Sequence, residues 1–140
     1  IRAIEVCLTT GKKYSEMRKQ EPKERDFNIV QIGLTADREL IYDRINSRVD
    51  EMMKAGLVEE AKSLHPKKEL NSLNTVGYKE LFNHFDGETE LDFAIEKIKQ
   101  NTRNFAKRQL TWFKKDKNTQ WFDVTTEKEK IQKLIEKSLK

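Results

Sequence analysis

The sequence is poor in the residues that build cross-linked or metal-bound scaffolds. Its 140 residues include one cysteine, Cys7, and two histidines, His65 and His84, which lie far apart and have no companion ligands nearby in sequence. One thiol cannot form an internal disulfide, and such isolated histidines do not indicate a metal centre. These shortages exclude a disulfide scaffold and a cysteine-ligated zinc site, and we expect no metal ligands in this chain.

Long apolar runs are also missing. No stretch approaches the roughly 20 apolar residues that a membrane-spanning helix needs, and no hydrophobic leader opens the chain. Apolar residues make up 36% of the sequence and charged residues 37%, whereas about 25% charged is usual for a globular domain. We therefore expect a protein without membrane contact, in which much of the surface is solvated helix. A cytoplasmic location and a monomeric state are separate expectations.

Positive charge is present, and it is concentrated in one segment. The chain carries a net charge of +4, but residues 92–117 hold eight Lys and Arg against three Asp and Glu, so this segment carries +5 and the remainder −1. A single basic segment on a balanced chain is typical of a protein that meets a polyanion at one face. A solvated, lysine-rich helix face is an equally good interpretation of the charge alone.

Hydrophobic periodicity predicts the secondary structure. Helical spacing starts at Ile1 without a preceding cap, so we expect a fragment of a longer protein whose first helix ends near Gly11. A polar connection with one short helical turn at 15–19 should follow. Strands are predicted at 27–34 and 120–124, helices at 36–55, 57–64, 75–85, 91–115 and 127–139, and a loop at 67–72.

These elements predict a mostly helical α/β fold. Two isolated strands do not make a stable sheet. We therefore expect both strands to belong to a larger parallel sheet that is covered by the intervening helices.

The helix predicted at 91–115 carries the strongest functional pattern. Arg, Lys, Asn, Gln and Thr together can hold a nucleic-acid backbone and reach base edges. Trp112 or Phe113 could stack on a base, although core packing is the favoured expectation for at least one of them. Helical geometry predicts a packing side with Ile98, Phe105, Gln109 and Trp112, a second side with Lys99, Arg103, Lys107 and Lys114, and a third with Asn101, Asn104, Arg108, Thr111 and Lys115.

Two further positions have competing interpretations. Arg48 lies beside the apolar stripe of the helix predicted at 36–55, where it either extends along that surface or projects into a cleft to bind a phosphate or diphosphate. Gly77 stands at a helix start, where free amide groups can face an anion. For Gly77 alone, an ordinary loop-to-helix junction is the better interpretation. Residues 9–13 lack the residues of a Walker A loop.

Several segments, taken in order, resemble the tRNA dimethylallyltransferases, also called tRNA isopentenyltransferases. The likeness covers nearly the whole chain, and its last motif is the most specific. The segments are Arg2 to Val6, Arg48 with Met52 and Gly56-Leu57, Val76-Gly77-Tyr78, and Thr102-Arg103 with Ala106 to Gln109 and Thr111 to Phe113.

The resemblance implies an activity and a place for this chain within it. The activity is transfer of a dimethylallyl group from dimethylallyl diphosphate to N6 of the adenosine 3′ of the tRNA anticodon. Residues 1–140 would be the C-terminal portion of the transferase core, completing a parallel sheet of the P-loop type, and residues 92–117 would form its basic tRNA-facing helix. The phosphate-binding loop and the aspartate base belong to the family's N-terminal half, so we expect this chain alone to be inactive.

The resemblance also implies ligands and residue roles. Arg48 matches the arginine that holds the donor's diphosphate and is the expected catalytic residue. The partners would be the tRNA anticodon stem-loop and dimethylallyl diphosphate, with Mg²⁺ as a cofactor whose ligands lie outside this chain. Residues matching the tRNA side are Arg2, Thr75, Val76, Gly77, Tyr78, Lys79, Arg103, Lys107, Arg108, Gln109, Thr111, Trp112 and Lys114.

Some residues depart from the family pattern, and other functions remain open. Lys79 and Lys114 stand where arginine is common, so a bidentate phosphate contact is not expected at either position. The main alternative is a non-catalytic basic helical RNA-binding module, and a third possibility is a helical protein-interaction domain. The transferase hypothesis expects Arg48 and the cationic side of the helix around Ala106 to face one shared cavity.

Overall fold

The fold comes from a computed structural model that describes residues 2–18 and 26–138. The helices in these ranges are α1 (Arg2–Thr10), α2 (Tyr14–Arg18), α3 (Arg38–Lys54), α4 (Leu57–Leu64), α5 (Tyr78–Phe85), α6 (Leu91–Phe113) and α7 (Lys128–Ser138). The strands are β1 (Ile32–Thr35) and β2 (Gln120–Asp123). The predicted order of helices and strands is confirmed, although residues 19–25 of the predicted polar connection and the end of the last predicted helix lie outside the described residues.

The two strands pair in parallel, as predicted. Ile32 lies opposite Gln120 and Thr35 opposite Asp123. The strand predicted at 27–34 is wrong in its first half, because β2 offers only four residues for pairing; Phe27 and Ile29 stay exposed outside the strand. Within the described residues the sheet has two strands, and the larger P-loop-type sheet stays a prediction.

The core lies among α3, α4, α5 and α6. Leu81 of α5 is completely buried, and Ile98 of α6 is 2% exposed. Burying one such side chain stabilises a fold by about 1.5–3 kcal/mol. The cluster consists of Val49, Leu57, Ala61, Leu81, Phe82 and Ile98, with Leu91 and Ile95 packed against it.

The connections between helices differ in detail from the prediction. The loop predicted at 67–72 is bounded by two 3₁₀ turns, His65–Lys67 and Asn71–Leu73, the first of which contains Pro66. The short turn predicted at 15–19 is helix α2. No helix in the described ranges combines the length and the apolar character needed to cross a membrane.

The packed side of α6 differs from the predicted one. Ile98 is buried as expected, but Phe105 is 51% exposed and Trp112 is 67% exposed. The side that packs instead passes through Ala94, Ile98, Thr102, Ala106 and Leu110, which recur every four residues. The core that α4 and α5 supply to α6 ends at Ile98, so residues at the far end of α6 have no comparable surface to pack on.

Candidate nucleic-acid interface

The C-terminal part of α6, with the turn that follows it, gathers polar, cationic and aromatic side chains on one face. These residues recur at spacings of three and four, so they share one side of the helix. They border a shallow concavity of about 410 Å³. Its lining residues, all exposed, are Asn104, Lys107, Arg108, Thr111, Trp112 and Lys115. We call this set the basic face. It brings together four of the residues that the resemblance assigns to tRNA: Lys107, Arg108, Thr111 and Trp112.

The cations of this part of the molecule have no carboxylate partner in the part of the chain that the structure describes. Within residues 2–18 and 26–138, no ion pair involves Lys107, Arg108, Lys114 or Lys115. The Arg108 guanidinium lies 5.8 Å from the centre of the Phe105 ring, and Lys114 Nζ lies 5.9 Å from that of Trp121. These charges are therefore available to an external anion.

Lys99, earlier on the same helix, is different. Its Nζ lies 2.8 Å from Asp50 Oδ1 on α3 and 3.0 Å from Glu96 Oε1. Hydrogen bonding to Asp50, and then to Glu96, raises the pKa of Lys99. This lysine is committed to holding α3 against α6.

Trp112 and Phe113 form an exposed aromatic pair. Their ring centres are 4.9 Å apart and their planes meet at 85°. Trp112 is 67% exposed and Phe113 48%, so the expectation that at least one would be a core residue is wrong. Both lie beyond the part of α6 that the core covers. An exposed indole beside cations is suited to stacking on an unpaired base.

A larger groove separates the sheet from the same part of α6. Its volume is about 990 Å³. Most lining side chains are apolar, and Gln109 and Trp112 reach it from α6. They are joined by Gln31, Ile32, Gly33, Leu34, Ile41, Ala106, Leu110, Phe113, Lys115, Asp116, Thr119 and Trp121. Trp112 therefore borders both concave regions.

Sequence reasoning missed the contribution of Gly33 and Trp121 to this groove. A Cβ atom added at Gly33 would lie 2.7 Å from two atoms of the Trp121 ring. The indole packs directly on the backbone of β1 because residue 33 has no side chain. A glycine inside a strand often marks a close approach of another group to the backbone. Gly33 within the predicted strand was therefore the sequence signal that could have revealed this contact.

Arg103 is separated from the exposed cations. It is half-buried, and its Nη1 donates a hydrogen bond of 2.6 Å to Asn46 Oδ1 on α3. Its guanidinium also lies 5.9 Å from the centre of the Tyr42 ring. The structure therefore places this predicted tRNA contact at the junction of α3 and α6.

Arg48 is exposed on α3 and makes no hydrogen bond or ion pair with the described residues. It lines neither concave region, so the described residues alone do not form the expected cavity shared by Arg48 and the basic face. Ile41, which lines the larger groove, lies on the same side of α3 seven residues earlier. At 1.5 Å per residue, Arg48 stands about 10 Å further along.

The segment Thr75 to Lys79 has an inward and an outward part. Gly77 is buried with φ +106°, a conformation that favours glycine. The helix predicted from residue 75 therefore begins only at Tyr78. Thr75, Val76 and Lys79 are exposed.

The inward residues of this segment are already bonded. The Gly77 N–H donates to Glu80 Oε2 at 2.8 Å, so this amide is bonded within the chain, as the favoured interpretation of an ordinary loop-to-helix junction predicts. The Tyr78 hydroxyl donates to Glu60, and this bond raises the pKa of Tyr78. The Tyr78 ring also stacks on Phe82, with ring centres 6.1 Å apart.

Two further predictions concern the tRNA contact Arg2 and the cofactor Mg²⁺. Arg2 is exposed on α1 and lines neither concave region. In the ranges that the structure describes, no three His, Cys, Asp or Glu side chains are placed to hold a metal ion. The described residues therefore do not fit the Mg²⁺ that the resemblance implies, and no reaction step is assigned to that ion.

The family model and the similar proteins found by comparison all belong to one family. A family model described as IPP transferase matches residues 1–116. The tRNA dimethylallyltransferase of Christiangramia forsetii is 57% identical over 139 residues, which cover 99% of this chain and 46% of that protein. The tRNA dimethylallyltransferase 1 of Bacteroides fragilis is 56% identical over 140 residues, covering 100% and 46%. The chain thus spans about half the length of the curated relatives it matches.

Solved structures agree. The tRNA isopentenylpyrophosphate transferase of Bacillus halodurans superposes with a TM-score of 0.74 at 39% identity, covering 90% of this chain and 43% of that one. The tRNA delta(2)-isopentenylpyrophosphate transferase of Staphylococcus epidermidis gives a TM-score of 0.73 at 36% identity, covering 97% and 47%. The mostly helical fold with a parallel strand pair is therefore shared with these enzymes.

Proposed function

Because the chain belongs to the IPP transferase family, we propose that the protein transfers a dimethylallyl group to tRNA. The donor is dimethylallyl diphosphate, and the acceptor is N6 of the adenosine 3′ of the anticodon. Relatives named tRNA dimethylallyltransferase support this reaction. Residues 1–140 are the C-terminal portion of the transferase core, and their two strands complete a larger parallel sheet of the P-loop type. We also propose a cytoplasmic, monomeric enzyme.

The basic face carries the proposal on the RNA side. Lys107, Arg108 and Lys115 are exposed and form no ion pair with any residue that the structure describes, and Trp112 offers an aromatic surface beside them. Lysine and arginine supply phosphate contacts, which set affinity, while amides and aromatic rings contact bases. Arg2, the outward residues Thr75, Val76 and Lys79, Gln109, Thr111 and Lys114 complete the proposed tRNA surface, with Gly77, Tyr78 and Arg103 supporting it from within.

Arg48 is proposed to serve the donor side. It is exposed and unpaired among the described residues, and it lies on the same side of α3 as the groove residue Ile41. Arginine presents a planar fork of donors that matches phosphate oxygens. Held against the diphosphate, its charge stabilises the negative charge that develops on the leaving group.

The reaction exchanges one bond for another. A C–N bond forms between adenosine N6 and C1 of the dimethylallyl group, while the bond from C1 to the diphosphate oxygen breaks and the diphosphate leaves with the electron pair. The amine gives its proton to a base, which the family resemblance assigns to an aspartate outside this chain. We therefore propose that the chain alone is inactive. The Mg²⁺ ligands are likewise proposed to lie outside this chain.

The test uses the full reading frame that contains this sequence. Radiolabelled dimethylallyl diphosphate and unmodified tRNA should give labelled tRNA. Arg48→Ala should lower the transfer rate at least about 100-fold, which is the size of effect seen when one donor to a developing anion is lost, with tRNA affinity nearly unchanged. Arg44→Ala, an exposed arginine one turn earlier on α3, is the matched control.

The outcomes separate the candidate functions. Normal turnover in Arg48→Ala would remove Arg48 from the mechanism. A wild-type protein that binds tRNA in a salt-dependent manner but transfers no label would support the non-catalytic RNA-binding module, which the unpaired cations of the basic face also favour. A protein without salt-dependent RNA binding would support the interaction domain.

A further inference from the structure

Glu80 on α5 is a buried carboxylate whose two oxygens serve two different elements. The residue is 9% exposed. Its Oε2 accepts the Gly77 N–H at 2.8 Å, and its Oε1 accepts a hydrogen bond from Asn101 Nδ2 on α6 at 2.6 Å. Both donors are uncharged. Burying a carboxylate is costly unless its oxygens accept hydrogen bonds, so these two bonds are what make the position of Glu80 tolerable.

The first bond fixes the start of α5. Glu80 occupies the third position of the helix and caps the N–H of Gly77, as in one half of a capping box. The reciprocal bond cannot form, because glycine has no side chain. Glu80 therefore supplies the side-chain bond that holds the Gly77 amide, beside the exposed residues Thr75, Val76 and Lys79, while backbone bonds from Leu81 to Gly77 and from Lys79 to Thr75 continue the turn.

The second bond fixes α5 to α6 close to the basic face. Asn101 is one turn before Asn104, the first residue of that face. It lies 21 residues from Glu80 in sequence, so the contact spans two separate helices. One side chain thus joins two segments that carry proposed tRNA contacts.

We propose that Glu80 is a positioning residue that keeps the Thr75 to Lys79 segment in register with the basic face of α6, so that both can engage one tRNA. The proposal rests on the proposed function, which supplies the tRNA. Glu80 itself is buried and touches no RNA. Its effect is therefore on how well two surfaces fit one ligand, and the chemical step should be spared.

The conservative variant of this residue has a definite expected behaviour. In Glu80→Gln, the side-chain carbonyl can still accept the Gly77 N–H. The new amide can donate to Asn101 once the Asn101 amide turns to present its oxygen. Both hydrogen bonds are kept, although residue 80 now donates to Asn101 instead of accepting from it. Glu80→Gln should therefore behave nearly as the wild type. Glu80→Ala removes both bonds, and Asn101→Ala removes only the link to α6.

The experiment measures steady-state transfer with the full reading frame. Asn101→Ala should raise KM for tRNA about tenfold, the equivalent of one lost buried hydrogen bond. Glu80→Ala, which removes both bonds, should raise it at least as much, and Glu80→Gln should stay within about threefold of the wild type. KM for dimethylallyl diphosphate and kcat should change by less than about twofold, since the donor side is untouched. Asn83→Ala, a half-buried asparagine on α5, is the control.

Amide hydrogen exchange gives a second readout. The Gly77 amide should exchange faster in Glu80→Ala but keep its protection in Asn101→Ala, because only the first variant removes its acceptor. Asn101→Ala retains the Gly77–Glu80 bond, so it decides the matter even where Glu80→Ala does not fold. A wild-type KM for tRNA in Asn101→Ala, or equal rises in both KM values, would overturn the proposal.

The two levels of the account fail in different ways. A wild-type protein that transfers no label contradicts the proposed function, whatever the variants do. An active wild type with an Asn101→Ala variant indistinguishable from it contradicts only the role of Glu80. For a protein that binds tRNA without transfer, the dissociation constant of an anticodon stem-loop replaces KM, and the same pattern among the variants is expected.

Discussion

The two ends of α6 have opposite surroundings although they belong to one continuous helix. Near its start, Ala94 is 1% and Ile98 is 2% exposed, and Lys99 is paired with Asp50 and Glu96. Near its end, Phe105 and Trp112 are more than half exposed. The cations there have no carboxylate partner among the described residues. We call residues 91–102 the packed end of α6 and residues 104–113 its open end.

This difference separates stability from recognition along a single helix. The packed end shares its apolar residues with the core of α3, α4 and α5. The open end contributes little to that core, so its side chains are free to be selected for contact with a ligand. Substitutions at the two ends should therefore affect different measurements.

The largest expected effect on stability concerns the core that holds the packed end of α6. Leu81→Ala removes a side chain with no exposed surface from the cluster that holds the packed end, and it should lower the free energy of unfolding by about 2–5 kcal/mol. Trp112→Ala, at the open end, should change it by no more than about 0.5 kcal/mol. Urea unfolding of both variants measures the comparison, and similar losses in the two variants would refute it.

A second, smaller effect tests the sheet beside the open end. Gly33→Ala places a Cβ atom 2.7 Å from the Trp121 ring, and such overpacking typically costs about 1–3 kcal/mol. The tryptophan emission spectrum should shift as the ring is displaced. Adding Trp121→Leu should recover part of the loss by removing the clash. A Gly33→Ala variant as stable as the wild type would show that the ring does not lie on β1.

The smallest expected effect on stability concerns the surface ion pair between Lys68 and Asp86. Asp86 accepts hydrogen bonds from Lys68 Nζ at 2.6 and 2.8 Å, and His65 Nε2 lies 3.0 Å from its Oδ1. Hydrogen bonding to Lys68, and secondarily to His65, lowers the pKa of Asp86 from its ordinary 3.8. The pair should therefore stabilise the fold above the ordinary pKa, and this contribution is lost as pH falls through the lower folded value.

The variant Asp86→Asn measures the contribution of this ion pair to the free energy of unfolding. The wild type should be slightly more stable than the variant at about pH 5, and the difference should be smaller at about pH 3, because the Asp86 carboxylate takes up a proton as the pH falls toward its lowered folded pKa. Urea midpoints at the two pH values measure it. Glu59→Gln, at an exposed carboxylate on α4, should show a smaller change with pH, and an equal change would argue against the Lys68 pairing.

Local patterns in the sequence were enough for the order of elements and for part of the basic face. The periodicity of α3 to α6 and the common side of Asn104, Arg108 and Thr111 follow from helix geometry, which depends only on neighbouring residues. Lys107 and Trp112, which the pattern assigns to two other sides of the helix, border the same concavity. The parallel pairing of the strands was also anticipated, because helices separate them.

Features that depend on distant partners could not be anticipated. Trp112 has the spacing of a core residue, yet the elements that would cover it do not reach the open end of α6. Phe27 and Ile29 are apolar enough for a strand, but β2 is too short to pair with them. The bond between Glu80 and Asn101 joins residues 21 positions apart, and no sequence rule links them. The role of Arg48 stays a prediction that activity measurements must decide.

The central claim is that the open end of α6 binds tRNA phosphates, and a salt titration tests it most directly. The logarithm of the affinity for an anticodon stem-loop should fall linearly with the logarithm of salt concentration, and each lost phosphate contact should reduce the slope by about 1. Lys107→Gln with Arg108→Gln should therefore reduce the slope by about 2. Lys97→Gln at the packed end should leave it unchanged. A double variant with the wild-type slope would contradict the account.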